Sequence, residues 1–111
     1  MKKRIIILSL LVVLFIVSCE SATIQDLSPV VTDPTYTANV EPVISASCTG
    51  CHSGGSQYPN LNDYASVKDA SANGNLICKI EGGCGTMPPS GKMPQATVDM
   101  INLWAVNGYK N

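Results

Sequence analysis

Residues 37–53 read "TANVEPVISASCTGCHS", and the end of this stretch decides what kind of fold the chain can adopt. It contains a C-x-x-C-H motif, formed by Cys48, Cys51 and His52. His52 is the only histidine in the chain, and two of the five cysteines lie beside it. A group that binds two thiols and one imidazole at this spacing would dominate a domain of this size.

The residues before the motif predict a helix from about Ala38 to Cys51. Pro42 is acceptable there because it falls in the first turn, where its missing N–H costs little. Val40 and Ile44 then lie on one side at helical spacing. Continued through the motif, this helix would place both thiols and the imidazole on nearly the same face, because residues three and four apart are neighbours.

Three kinds of site bring two thiols and an imidazole together. In a c-type haem, the thiols form thioethers with the porphyrin and the imidazole binds iron, and C-x-x-C-H is the signature of that attachment. A zinc site is less suited, because the adjacent Cys51 and His52 are awkward tetrahedral ligands and no second C-x-x-C is present. A dithiol redox site usually follows a strand in a βαβ unit, which the pattern does not predict. We therefore favour haem.

The rest of the chain predicts an all-α fold of three to four short helices, because its apolar segments are short and are separated by Gly, Asn and Pro. A second helix should start after Asn62 or Asp63, since either side chain can cap it. A third, "NLICKI" at 75–80, should end at Gly82-Gly83. The last, within "QATVDMINLWAVNG" at 95–108, should bury the positions at helical spacing and end near its glycine: Val98, Ile101, Trp104, Ala105 and Gly108.

The N-terminus has the layout of a secretory signal. "MKKR" is followed by an apolar run from Ile5 to Val17, and "IVSC" ends at Cys19, like a bacterial lipobox. We expect a lipoprotein signal peptide at 1–18, a lipidated Cys19 with a flexible tether through residue 37, and one folded domain at 38–111. Removal of the signal leaves four lysines against eight acidic residues, which argues against nucleic-acid binding.

A haem iron held by His52 has a sixth coordination position, and with no second histidine the candidate ligands are thioethers. Met100 lies within the predicted last helix and is expected to pack. Met87 and Met93 lie in the loop "GTMPPSGKMPQ", which consecutive prolines stiffen after Met87. A rigid loop can hold a weak sulfur–iron bond because it has little freedom left to lose.

Three segments in order, "NVEPVISASCTGCHS", "LNDYASVKD" and "MPPSGKMPQATVDMINLWAVNG", resemble a small cytochrome c family. The family is the class I-like, single-haem type found in bacterial exported lipoproteins. The resemblance implies a small cytochrome c fold around one covalently bound haem c, attached through Cys48 and Cys51. It implies His52 and Met87 as the axial ligands. Met93 is the alternative ligand, although the family has a leucine at its position.

Two features depart from the family pattern. The last helix lacks the usual Ser or Thr N-cap: Pro94 suits the first helical position, and Met93 before it is a poor N-cap. Cys78 and Cys84 are unusual, and six residues apart across a predicted helix end they are expected to form a disulfide after export. That bridge would close a small loop just before Met87.

In related folds a backbone carbonyl, here that of Pro59, accepts a hydrogen bond from the histidine nitrogen that does not bind iron.

The expected function is one-electron transfer rather than enzyme catalysis. A six-coordinate haem leaves no open position for substrate, and no acid–base pair is evident. We expect transient redox-protein partners, no nucleic acid, and attachment to a bacterial membrane through lipid on Cys19, facing the periplasm or the cell surface. The alternatives are a haem-based sensor of small ligands and a dedicated haem subunit of an oxidase or dehydrogenase complex.

Overall fold

The computed structural model describes residues 30–111, so Cys19, the signal segment and most of the predicted tether lie outside the described residues. The described chain is helical and contains no strand, which confirms the all-α prediction. A π-helical turn leads into α1, and three more helices follow: Tyr36–Val40 (π), Glu41–Ser47 (α1), Tyr64–Ala72 (α2), Leu76–Glu81 (α3) and Gln95–Val106 (α4). None of these helices has the length and apolar character needed to cross a bilayer.

The first helical segment begins and ends differently from the prediction. Thr35 caps its start: the Thr35 hydroxyl accepts from the Ala38 N–H at 3.3 Å, and Asn39 Oδ1 accepts from the Thr35 N–H at 2.9 Å. Pro42 occupies the first turn of α1, as predicted. However, α1 ends at Ser47, so the expectation that the helix continues to Cys51 is wrong. The motif forms turns instead of a continued helix.

Helices α2 and α3 follow their local sequence signals. The Asp63 carboxylate accepts from the Ser66 N–H at 2.8 Å, and the Ser66 hydroxyl reaches back to the Asp63 backbone, which together form a capping box. This interaction lowers the pKa of Asp63, chiefly through the Ser66 N–H that stabilises the carboxylate. Helix α3 ends at Gly82 with φ +88°, a left-handed conformation that glycine adopts without steric cost.

Helix α4 supplies the centre of the core. Its buried residues are Val98, Ile101 and Trp104, as predicted, whereas Ala105 is only partly buried. The helix begins at Gln95, and Pro94 is its N-cap without a side-chain hydrogen bond, so the placement of Pro94 at the first helical position is wrong by one residue. These side chains pack against buried residues from every other helix and the 52–61 loop: Tyr36, Val40, Ile44, Leu61, Val67, Ala70, Leu76 and Ile80.

The two ends of the described chain are joined. The Lys110 carbonyl accepts two bonds of 2.7 Å, from the Tyr36 N–H and from the Trp104 indole N–H. Tyr36 is 5% exposed and Pro34 is fully buried, and the Lys110 ammonium pairs with Asp33. The packed unit therefore begins at about Asp33. These residues fall within the predicted flexible tether, before the predicted start of the domain at Ala38.

Candidate functional site

The described residues surround a cavity of about 850 Å³. The C-x-x-C-H turn forms one wall, the residues from α2 to α3 form another, and the loop before α4 contributes its methionines. The residues that decide its chemistry or its apolar character are Ile44, Cys48, Cys51, His52, Pro59, Leu61, Ala70, Leu76, Ile80, Met87, Pro88 and Met93. The cavity thus brings together the residues that the sequence predicts as haem ligands and attachment points, from segments distant in sequence.

Two backbone hydrogen bonds shape the C-x-x-C-H turn. The Cys48 carbonyl accepts from the Cys51 N–H at 3.1 Å and from the His52 N–H at 2.8 Å. The second bond spans four residues, as in one turn of α-helix. The helical spacing assumed for the motif therefore survives locally, although α1 has ended. Cys48 is partly buried, Cys51 is exposed, and both are free thiols.

His52 is fixed by the loop that follows it. Its Nδ1 lies 2.9 Å from the Pro59 carbonyl oxygen, which is the predicted pairing, and its own carbonyl accepts from the Leu61 N–H at 2.8 Å. A carbonyl oxygen can only accept, so Nδ1 carries the proton. In a neutral imidazole protonated at Nδ1, Nε2 is the nitrogen with a free lone pair. His52 therefore offers one oriented nitrogen as a metal ligand.

The three described methionines differ in their position relative to the cavity. Met87 and Met93 both line the cavity and are half-buried. Met100 does not line it and packs against the core, as expected from its place on α4. The Met87 N–H donates to the Lys79 carbonyl at 3.1 Å, which attaches its loop to α3. Met87 and Met93 remain the two candidate sulfur ligands.

A disulfide joins Cys78 of α3 to Cys84, with Cα atoms 5.4 Å apart. Two backbone bonds support the same turn, since the Cys78 carbonyl accepts from the Gly83 N–H at 2.9 Å and from the Cys84 N–H at 3.4 Å. Both sulfurs are used in this bridge. Neither cysteine is therefore available as a further metal ligand beside Cys48 and Cys51.

The alternatives to haem find little support in this geometry. Within residues 30–111, no three His, Cys, Asp or Glu side chains come together as a four-ligand zinc site requires. Burial raises the pKa of the Cys48 thiol. Thiol–disulfide catalysts depend on the opposite shift, which increases the reactive thiolate. Since no strand precedes the motif, the structural context of a dithiol site is absent from the described chain as well.

Part of the site was not identified from the sequence. Leu61, Leu76 and Ile80 form apolar parts of the cavity wall, and the spacing of Leu76 and Ile80 marks only a buried helix face. Asn60 also lines the cavity, and its Oδ1 is buried without a hydrogen-bond partner. No local pattern distinguishes a side chain that faces a cavity from one that packs in the core.

Comparisons with protein-family models, with curated proteins and with solved structures find no match to this chain. The functional interpretation therefore depends on the residues of the cavity and their geometry.

Proposed function

We propose that the chain is an exported, lipid-anchored c-type cytochrome that carries single electrons between redox proteins. The observation that carries the proposal is the combination found at one cavity. Two free thiols, Cys48 and Cys51, lie beside a histidine whose Nδ1 is hydrogen-bonded to the Pro59 carbonyl. Met87 lines the same cavity. Each of these groups has a defined role in binding haem c.

The size and lining of the cavity fit haem. Its volume of about 850 Å³ lies within the range of roughly 300–1,000 Å³ usual for cofactor sites. Leu61, Leu76 and Ile80 supply apolar surface for a porphyrin face. The buried and unpartnered Oδ1 of Asn60 indicates that the lining includes a polar group that the protein itself does not satisfy.

The proposed cofactor would be held by four side chains. Cys48 and Cys51 would form the thioethers, and His52 would bind iron through Nε2. Met87 would be the second axial ligand, with Met93 as the alternative. When bound in this way, haem supplies reversible one-electron chemistry, and a His/Met ligand pair favours a high reduction potential.

The remaining residues position and shield the site rather than react. The Pro59 carbonyl orients the imidazole, and the half-buried residues Met87, Pro88 and Met93 limit access of water on their side. Cys51 and Tyr58 are exposed at the edge of the cavity, and Tyr58 is 91% exposed. This open edge is where a redox partner would approach in a transient contact. Electron transfer requires no side chain that acts as acid, base or nucleophile.

The experiment uses the full chain, produced in a bacterial host that has haem-maturation machinery. The denatured protein should retain its colour and gain the mass of one haem. Cys48→Ala/Cys51→Ala should lose that covalent mass. Cys78→Ala/Cys84→Ala, which also removes two cysteines, should keep it. A colourless wild-type protein without added mass would contradict the proposal.

Carbon monoxide separates electron transfer from ligand sensing. If Met87 or Met93 holds the sixth position, the ferrous spectrum should change little with carbon monoxide, and the iron should cycle reversibly by one electron. Ready formation of an adduct by the wild-type protein would favour the sensor instead. Stable co-purification with an oxidase or dehydrogenase would favour a dedicated subunit.

The membrane anchor is part of the same proposal and rests on Cys19, which lies outside the described residues. A tethered carrier meets membrane-bound partners at a raised effective concentration. The wild-type protein should incorporate labelled fatty acid, Ser21→Ala should incorporate it equally, and Cys19→Ser should not. Equal labelling of Cys19→Ser, or no labelling of the wild type, would contradict lipid attachment at this residue.

A further inference from the structure

The segment that leads to Met87 is rich in glycine, and backbone hydrogen bonds from the N–H groups of residues 82–84 attach it to the Cys78 and Lys79 carbonyls of α3. Three of the four residues from Gly82 to Gly85 are glycines, and glycine has more backbone freedom to lose than any other residue. Gly82 and Gly85 adopt φ values of +88° and +91°. Cys84, the remaining residue of the four, is exposed, so its backbone contacts compete with water.

The disulfide supplies the covalent constraint in this segment. It connects Cys84, three residues before Met87, to Cys78 in the middle of α3. The Met87 N–H donates to the carbonyl of Lys79, the residue next to Cys78. The bridge and this hydrogen bond therefore fasten both ends of the 84–87 segment to one turn of α3. The same short helix contributes Leu76 and Ile80 to the cavity wall.

We propose that the Cys78–Cys84 disulfide is the positioning element that keeps Met87 at the haem iron, and that its reduction opens a coordination position for a small neutral ligand. This inference rests on the proposed haem site. A thioether is a weak ligand, so it binds well only when the chain already places it near the metal. Without the bridge, the glycine-rich turn gains freedom and Met87 spends more time away from the iron.

The reductant in this step is a dithiol. The dithiol attacks the sulfur of the exposed Cys84, and the S–S bond breaks. Two electrons and two protons pass from the dithiol to Cys78 and Cys84, which become thiols. The dithiol becomes its own disulfide. The Cys48 and Cys51 thioethers contain no S–S bond and do not take part. The haem therefore stays attached while its sixth ligand is released.

The test compares the wild-type full chain with Cys78→Ala/Cys84→Ala, both loaded with haem. Alanine is used because it adds no new iron ligand. The variant should keep its haem, lose much of the ferric sulfur-to-iron absorption band, and bind carbon monoxide in the ferrous state on the order of tenfold more tightly. Haem retained with an unchanged band and unchanged carbon monoxide affinity would overturn the inference and leave the proposed function standing.

Val67→Ala is the control for general loosening. Val67 is fully buried in α2 and does not line the cavity, so this variant lowers stability without touching the Met87 segment. It should leave the band and the carbon monoxide affinity unchanged. An equal effect of Val67→Ala would assign the change to global instability and overturn the positioning role.

A second measurement covers the case in which the double variant fails to fold. Wild-type protein is reduced at the iron with ascorbate, and carbon monoxide affinity is measured before and after treatment with dithiothreitol. The affinity should rise after treatment, and mass spectrometry should show two new free thiols. Thiols that appear without a rise in affinity would contradict the inference. Wild-type protein without haem would instead overturn the proposed function on which it rests.

Discussion

The Nδ1 atom of His52 lies 2.9 Å from the carbonyl oxygen of Pro59. This contact joins the C-x-x-C-H turn to a loop seven residues later and determines which ring nitrogen can bind metal. It does so because the carbonyl oxygen can accept a hydrogen bond but cannot donate one. The orientation of the imidazole is thus a property of the folded loop as well as of the motif.

The first prediction concerns this tautomer. In the haem-loaded, ferrous low-spin protein, His52 should be protonated at Nδ1, with an N–H that exchanges slowly because it is hydrogen-bonded. Nitrogen-15 NMR can measure this without ambiguity, since His52 is the only histidine in the chain. A histidine protonated at Nε2 would contradict both the Pro59 pairing and the proposed iron bond.

The second prediction separates the two cavity methionines. Met87→Ala should abolish the sulfur-to-iron absorption band and make the iron high-spin. It should also lower the reduction potential on the order of 0.1 V or more, within the roughly 0.8 V over which axial ligands tune haem. Met93→Leu is the matched control and should leave the visible spectrum unchanged. Loss of the band in Met93→Leu alone would show that Met93 is the ligand.

The third prediction is a pH dependence of stability that originates at Asp63. Hydrogen bonding to Ser66 lowers the pKa of Asp63 below its ordinary value of 3.8, so the folded state binds this proton less readily than the unfolded state. The capping interaction therefore contributes fully above the ordinary pKa and is lost as the pH falls through the lowered one. Asp63→Ala should destabilise the protein at neutral pH and match the wild type in strong acid.

Asp63→Asn is the control for that experiment. Asparagine can still cap α2 but does not titrate in this range, so its stability should stay closer to the wild type at neutral pH. Urea unfolding followed by circular dichroism at several pH values provides the comparison. A difference between Asp63→Ala and wild type that is the same at every pH would contradict a titrating cap.

The fourth prediction concerns the core. Trp104 is fully buried, and its indole N–H donates to the Lys110 carbonyl at 2.7 Å. Trp104→Phe removes ring volume and that bond, and should lower the free energy of unfolding by about 2–3 kcal/mol. Val106→Ala, at a position that is 82% exposed on the same helix, should change it by less than about 0.5 kcal/mol. A similar decrease in the free energy of unfolding in both variants would contradict the assignment of Trp104 to the core.

Local chemistry made much of the fold predictable. Asp63 caps α2 and Gly82 ends α3 because each effect operates within one helical turn. The buried face of α4 follows from apolar spacing alone. The same dependence on near neighbours explains why the sequence predicts a longer α1 than the structure contains. Apolar spacing continues into the motif, but the chain turns at Cys48, and no single residue there signals the end of the helix.

The amino-acid sequence by itself determined the helical class, the start of α2, the end of α3, and the identity of the thiols, imidazole and thioethers that the proposed cofactor would need. Only the tertiary structure decided that these groups share one cavity, and that Tyr36 is packed rather than part of a tether. The physical reason is distance along the chain. Caps and turns depend on neighbours a few residues away, whereas the Tyr36–Lys110 bond and the cavity walls form only when remote segments meet.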